Sequence, residues 1–287
     1  MGEALWDVLP DGKKIGGAPA NFAYHVSQFG FDSRVVSAIG DDESGDEILS
    51  VFDEKTLKYH LPKVGFPTGT VQVTLDEDGI PAYEIKTGVA WDNIPFTPEL
   101  EELASKTGAI CFGSLAQRSP VSRETISRFL SVMDRNEDCL KIFDINLRQH
   151  FFSMELILDS LSRCNILKIN DEELIIVKKM LGIETDDSAA ICQKLIADFH
   201  LRMLILTCGT KGSHVFTPTV SSFEPTPQVT VADTVGAGDS FTASFCAAIL
   251  KGHPVKTAHR FAVEVSAHVC SCHGAMPKLP QALIAKI

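Results

Sequence analysis

Asp233-Thr234-Val235-Gly236-Ala237-Gly238-Asp239-Ser240-Phe241 is a turn of small residues that opens directly into an apolar helical stretch, Phe241–Leu250. Without bulky side chains, the main-chain N–H groups of Gly236, Ala237 and Gly238 can converge on an anion. The helix N-terminus adds about half a positive charge at the same place. Asp239 falls in the first helical turn. Two roles stay open for its carboxylate: a general base that takes a proton from an attacking substrate hydroxyl, or a cap on the helix after a flexible turn. No Gly-Lys-Ser/Thr follows, so this is not a Walker A loop.

A turn of this kind belongs at the carboxyl end of a parallel sheet, where open α/β folds bind ligands. The rest of the chain agrees. Short apolar runs at Val35–Ile39, Ala109–Phe112, Leu140–Ile145, Ile166–Ile169 and Met203–Leu206 read as buried strands. Helical periodicity lies between them: Phe22, Ala23, Val26 and Phe29; Ile126, Phe129, Leu130 and Met133; Leu174, Val177 and Leu181; and a last helix over Ala258–Val269. This alternation predicts a mostly parallel sheet covered by helices on both faces. One segment departs from it. Thr68–Leu75 alternates with period two, Asp76–Gly79 signals a turn, and Ile80–Ile85 returns as a strand, a hairpin that stands off the sheet or edges it.

The polar residues that close the apolar runs are the remaining candidates. Gly16-Gly17-Ala18-Pro19-Ala20-Asn21 allows close backbone approach, and Asn21 can both donate to and accept from a hydroxyl. Asp7, just upstream, can accept from sugar hydroxyls or be a solvated loop carboxylate. Asn170-Asp171-Glu172-Glu173 opens a helix. It is either a favourable acidic first turn or a holder of the water shell of a phosphate-bound Mg2+. Thr207-Cys208-Gly209-Thr210-Lys211-Gly212 lines a nucleotide edge or simply turns into a hairpin strand, Ser213–Phe216.

Composition narrows the classes. The chain has 287 residues, 45% hydrophobic and 22% charged, as in globular proteins, with a net charge of −11. That charge argues against a nucleic-acid footprint and against docking on an anionic membrane. No apolar run approaches the ~18 residues of a membrane span. The N-terminus carries acid where a signal peptide carries base. The eight cysteines sit mostly in apolar stretches, as free thiols in a reducing compartment do, and Cys270-Ser-Cys272-His273 lacks a second half for a zinc site. A cytoplasmic protein is expected. No G-x-G-x-x-G follows a first strand, which disfavours a dinucleotide oxidoreductase.

In chain order, Gly16-Gly17-x-x-x-Asn21, Asn170-x-x-Glu173 and Asp233–Phe241 resemble the ribokinase-type carbohydrate kinases, also called the phosphofructokinase B family, over nearly the whole chain. Within that family, Gly2-Glu3-Ala4-Leu5-Trp6-Asp7, Gly16–Phe22 and Asp144-Ile145-Asn146-Leu147-Arg148 look most like bacterial fructokinases. The resemblance implies a ribokinase-like three-layer α/β/α domain over 1–287, with a mostly parallel central sheet and a small β lid from about 8–15 and 67–90.

It also implies ATP-dependent phosphorylation of a primary hydroxyl of a small sugar, fructose first. 2-Keto-3-deoxygluconate, ribose or a nucleoside are alternatives on the same scaffold, and a non-catalytic sugar sensor is a rival of another class. Asp239 would be the catalytic base and Gly236, Ala237 and Gly238 the anion hole. Asp7, Gly16, Gly17, Asn21 and Arg148 would hold the sugar. Asn170 and Glu173 would order phosphate and Mg2+, Glu173 through water, while Thr207, Gly209 and Gly212 would contact the nucleotide. Many members also bind a monovalent cation such as K+, for which Asp233 and the backbone around Gly274 are the matching positions. In many relatives the lids pair into homodimers. Relatives carry several apolar residues ahead of the Gly-Glu. Here only Met1 precedes Gly2, so the first strand is expected to be missing or short, and the last helix after Pro280 short as well.

Overall fold

The computed structural model describes residues 1–9, 12–75, 81–136 and 138–287. In its first half the chain forms β1 (Leu5–Leu9), β2 (Gly12–Gly16), α1 (Ala18–Gln28), β3 (Arg34–Val36), β4 (Ile39–Gly40), α2 (Glu43–Glu54), β5 (Lys58–His60), β6 (Lys63–Val64), β7 (Gly69–Leu75), β8 (Pro81–Ile85), α3 (Pro98–Lys106), β9 (Ala109–Phe112) and α4 (Pro120–Met133). It continues with β10 (Leu140–Asp144), α5 (Met154–Arg163), β11 (Ile166–Asn170), α6 (Asp171–Met180), α7 (Ser188–Phe199), β12 (Met203–Thr207), β13 (Ser213–Phe216), β14 (Ser221–Glu224), α8 (Ala237–Leu250), α9 (Val255–Cys270) and α10 (Gln281–Ile284).

The apolar runs pair into one six-stranded sheet in the order β14-β13-β12-β11-β10-β9. β9 to β12 are parallel, and β13 and β14 add antiparallel at the edge. Successive side chains on a strand point to opposite faces, and here both faces are dry. Phe112, Phe143, Leu167, Ile169, Leu204 and Leu206 join one core with residues of α3 to α7, such as Leu130, Leu161, Leu174 and Leu195. Cys111, Ile142, Ile166, Ile205 and Val215 join another with α1, α8 and α9 through Phe22, Phe241 and Phe261. This is why the strands read as unbroken apolar runs. The result is three layers, as the alternation predicts.

A second sheet, β2-β1-β7-β8, stands apart from the first. β1 runs antiparallel to β2 and parallel to β7, and β7 runs antiparallel to β8. The segments expected as a lid supply most of it, but it also takes in Leu5–Asp7. Asp7 therefore lies inside a strand of this sheet instead of after the first strand of the large one. The expected turn at Asp76–Gly79 lies outside the described residues. Ahead of β1, the chain passes between β3 and β9: Gly2 N–H donates to Val36 O at 2.9 Å and the Met1 amine to Cys111 O at 2.7 Å.

The run Val35–Ile39, expected as one strand, is two. Arg34–Val36 pairs with β5 and Ile39–Gly40 with β6, the chain bending at Ser37 and Ala38. Among the described residues no helix is long and apolar enough to cross a membrane.

Candidate active site

The first turns of α1 and α8 meet. Gly17 is the N-cap of α1 and Pro19 pre-sets its first turn, which puts Asn21 one turn in. Gly236 is the N-cap of α8 and puts Asp239 at the matching place. The Asn21 amide donates to Asp239 Oδ2 at 2.7 Å, across 218 residues of sequence. Asn21 is only 4% exposed and its Oδ1 has no donor. A buried acceptor left open in this way is suited to a ligand hydroxyl. Burial pushes the Asp239 carboxyl up to about 6; Asp144 adds to the rise, while the Asn21 hydrogen bond and Lys168 oppose it. The residue as a whole is half-buried. At neutral pH it is ionised yet basic enough to accept a proton.

The glycine turn beside it has little freedom to change. Gly236 sits at φ +78°, and a Cβ there would lie 2.8 Å from Ala275 main chain. A Cβ on Gly238 would lie 3.3 Å from Lys168 Nζ. Of the three amides expected to face an anion, that of Ala237 makes a long 3.3 Å bond to Thr234 O. Asp233 shapes the approach: Oδ1 accepts from Val235 N–H at 3.0 Å and Oδ2 from Gly274 N–H at 3.1 Å.

On the other side of Asn21 stand the carboxylates. A Cβ on Gly16 would overlap the Asp7 carboxylate, and one on Gly17, at φ +111°, would overlap Glu3 O. Both positions need glycine because the small sheet folds tightly against the start of α1. Burial pushes Asp7 up to about 6, with Arg148 opposing. Glu3 is buried as well; burial raises its pKa, its own backbone hydrogen bond and the charges of the N-terminus, Arg148 and Arg118 oppose, and Oε2 has no donor. Arg148 is exposed, on a loop with left-handed backbone at Asn146 and Gln149. Its charge reaches this end of the cleft.

Beyond the glycine turn, β11 and β12 end side by side, with Asn170 opposite Thr207. Asn170 and Glu173 form a capping box: Glu173 N–H donates to Asn170 Oδ1 at 2.8 Å and Asn170 N–H to Glu173 Oε2 at 3.0 Å. Glu173 Oε1 accepts from Leu147 N–H at 2.9 Å. Both oxygens thus already hold main chain, which ties the Arg148 loop to α6. Gly209 is exposed on the following turn, while Gly212 is buried with its Cα against Glu224 O of β14. A Cβ there would lie 2.6 Å from that oxygen, so packing alone already calls for glycine at this position.

The sequence reading passed over Lys168. It lies inside a buried parallel strand, 8% exposed, with Nζ 3.1 Å from Asp144 Oδ1. The contact is a buried ion pair. Burial disfavours the Lys168 charge, but Asp144, Glu173 and Asp239 outweigh it and hold the ammonium above its ordinary range. The signal was present: a lysine within Ile166–Asn170 has to find an anion once the strand is covered on both faces.

A family model described as pfkB family carbohydrate kinase matches residues 11–282. The chain is 26% identical over 274 residues to an ATP-dependent 6-phosphofructokinase of Thermoanaerobacterium thermosaccharolyticum, covering 93% of this chain and 82% of that protein. It is 28% identical over 262 residues to a fructokinase of Klebsiella pneumoniae, covering 87% and 83%. The structure resembles a fructokinase with bound ATP from Xylella fastidiosa at a TM-score of 0.86 and 22% identity, covering 99% of this chain and 95% of that one. The ribokinase-like α/β fold expected from the motifs is thereby borne out.

Proposed function

Since the chain belongs to the pfkB family of carbohydrate kinases and is a sugar kinase, we propose that it transfers the γ-phosphoryl group of MgATP to a primary hydroxyl of fructose. The Asn21–Asp239 contact at the mouth of the glycine turn carries this reading. Asn21 and Asp7, packed against Gly16 and Gly17, bind the sugar hydroxyls, with Arg148 at the rim. Asp239 takes the proton of the attacking hydroxyl. The freed oxygen forms a bond to the γ-phosphorus as the bond to the bridging oxygen breaks, and ADP leaves with that electron pair. The Gly236–Gly238 amides and the α8 N-terminus stabilise the charge on the transferred group.

Asn170, Glu173 and Thr207 flank the nucleotide phosphates at the sheet end, with Gly209 and Gly212 at the base. The two Glu173 oxygens retain lone pairs toward the water shell of the substrate's Mg2+. The Asp233 carboxylate similarly has lone pairs beyond its two N–H bonds, which fits a monovalent cation such as K+, a source of positive charge near the turn. The β1, β2, β7, β8 sheet acts as the lid of a single 1–287 domain and is the face through which a homodimer would form.

Charge favours a neutral sugar. Glu3 and Asp7 both draw on the exposed Arg148, with the N-terminus and Arg118 acting on Glu3 alone, so a carboxylate or phosphate on the substrate would have to compete with two acids for that arginine. A coupled ADP-release assay tests this with fructose, fructose 6-phosphate, 2-keto-3-deoxygluconate and ribose. Turnover is expected with fructose; turnover confined to an acidic sugar would overturn the assignment, and sugar binding without turnover would favour a sensor.

A further inference from the structure

The ion pair beside the glycine turn has no part in the roles assigned above, yet it is fastened to that turn. Asp144 closes β10 and Lys168 lies in β11, so neighbouring parallel strands present opposite charges at one level. Thr242 on α8 spans the gap: its hydroxyl contacts Asp144 Oδ2 at 3.2 Å and Gly238 O at 2.9 Å. Lys168 Nζ packs where a side chain on Gly238 would begin. The pair is therefore fastened to the same turn that presents Asp239.

We propose that Asp144 and Lys168 are positioning residues of the phosphoryl transfer, which support the Gly236–Asp239 turn from the sheet side and set, by their opposed charges, the proton affinity of the base. The inference rests on Asp239 being that base. The charged and titratable groups around Asp239 are few: Asp144 and Lys168 from β10 and β11, Glu3 from the start of the chain, and the buried Cys111 thiol from β9. Asn21 from α1 is neutral. Of these, only Lys168 is a cation. It lowers the proton affinity of Asp239, while Asp144 and Glu3 raise it. Removing the two members of the pair must therefore act in opposite senses, which a merely structural pair would not do.

The test is the pH dependence of kcat/KM for the sugar at saturating MgATP in the wild type, Lys168→Gln, Asp144→Asn, Lys168→Arg and the double variant. Titration of the nucleotide is common to all of them. The acidic limb should move up by about one pH unit in Lys168→Gln and down by a similar amount in Asp144→Asn. It should stay near the wild-type position in Lys168→Arg. Should a single variant fail to fold, the double variant, which buries neither charge alone, should fold and place its limb between those expected of the two singles. Limbs that coincide, or that move in the same sense, overturn the proposal even when activity falls. Asp239→Asn separates the two readings: if it keeps wild-type turnover, the base assignment fails and this inference with it. If it is inactive while the limbs do not move, only this inference fails.

Discussion

Two glycine turns open two helices toward the same point, and they differ in the group that stands closest to each. At Gly16 and Gly17 the nearest partners are the Asp7 carboxylate and the backbone of Glu3, both buried acids. At Gly236 and Gly238 the nearest partners are Ala275 and the Lys168 ammonium. Local sequence makes the turns look alike: small residues, then an apolar helix. What separates them is the residue that the sheet beneath supplies. A turn over carboxylates suits hydroxyl donors, and a turn over an ammonium suits a phosphoryl group. On the proposed reading, the Asn21–Asp239 bond joins the two halves where sugar oxygen and phosphorus meet.

The largest effect expected is at that junction. Asp239→Asn should lower kcat by roughly 10²–10⁴ while sugar binding, measured by calorimetry, is largely kept. Near-wild-type turnover would break the division into a hydroxyl side and a phosphoryl side. Next comes the second turn itself. Gly236→Ala forces a side chain against Ala275 at a left-handed position, so the amides rotate away from the phosphoryl group. A loss of about 10² in kcat is expected, comparable to deleting one donor of an oxyanion hole. The KM for sugar should hardly change; a change confined to that KM would place Gly236 on the wrong side.

The halves are also joined through His25. It lies on α1, beyond the first turn, and its Nε2 contacts Ala275 O at 2.9 Å, on the residue that abuts Gly236. The ring is fully buried, and burial lowers its pKa to about 4, with the Ala275 hydrogen bond and nearby Lys55 and His268 as lesser influences. The folded pKa lies below the unfolded value of 6.5, so between the two the unfolded chain binds the proton and the folded one does not. The stabilisation is complete above about pH 6.5 and is lost as pH falls toward 4. Thermal unfolding should show a loss of about 2 kcal/mol between pH 8 and pH 5 from this group. His25→Gln, which retains a donor for Ala275 O, should flatten that part of the profile. An unchanged slope would show that His25 is not the group whose burial sets that part of the profile.

How much of this was legible follows from distance along the chain. The strands of the large sheet and the turn at 233–241 carry their signal locally, as an apolar run with a polar end or as small residues before a helix. The pairs that define the site do not. Asn21 and Asp239 are 218 residues apart and His25 and Ala275 250. Lys168 was hidden by its neighbours, since an apolar run still reads as a strand with one lysine in it. Asp7 can read locally as a loop carboxylate because its strand partners, at Gly69–Gln72, lie some sixty residues on. That Gly212 also packs on Glu224 O of β14 is equally invisible in the sequence. Val35–Ile39 reads as one strand because composition does not show where Ser37 and Ala38 change partners.

The smallest effect sharpens the carboxylate side. Asp7 is held near 6 by burial, so above that pH it is ionised, the form proposed to accept sugar hydroxyls, and below it protonated. Asp7→Asn keeps the shape and one acceptor oxygen but removes the charge, which makes it a permanent stand-in for the protonated form. The dissociation constant for sugar should therefore rise about tenfold at pH 8, as for one charge-assisted hydrogen bond lost, with that for MgATP unchanged. As pH falls below 6 the wild type should weaken toward the variant, and the two titration curves should converge. Convergence is the informative part. A constant tenfold gap at every pH would mean that Asp7 acts through shape alone. A gap that appears for MgATP instead would mean that the acidic turn faces phosphate, and the charge contrast between the two turns would have to be abandoned.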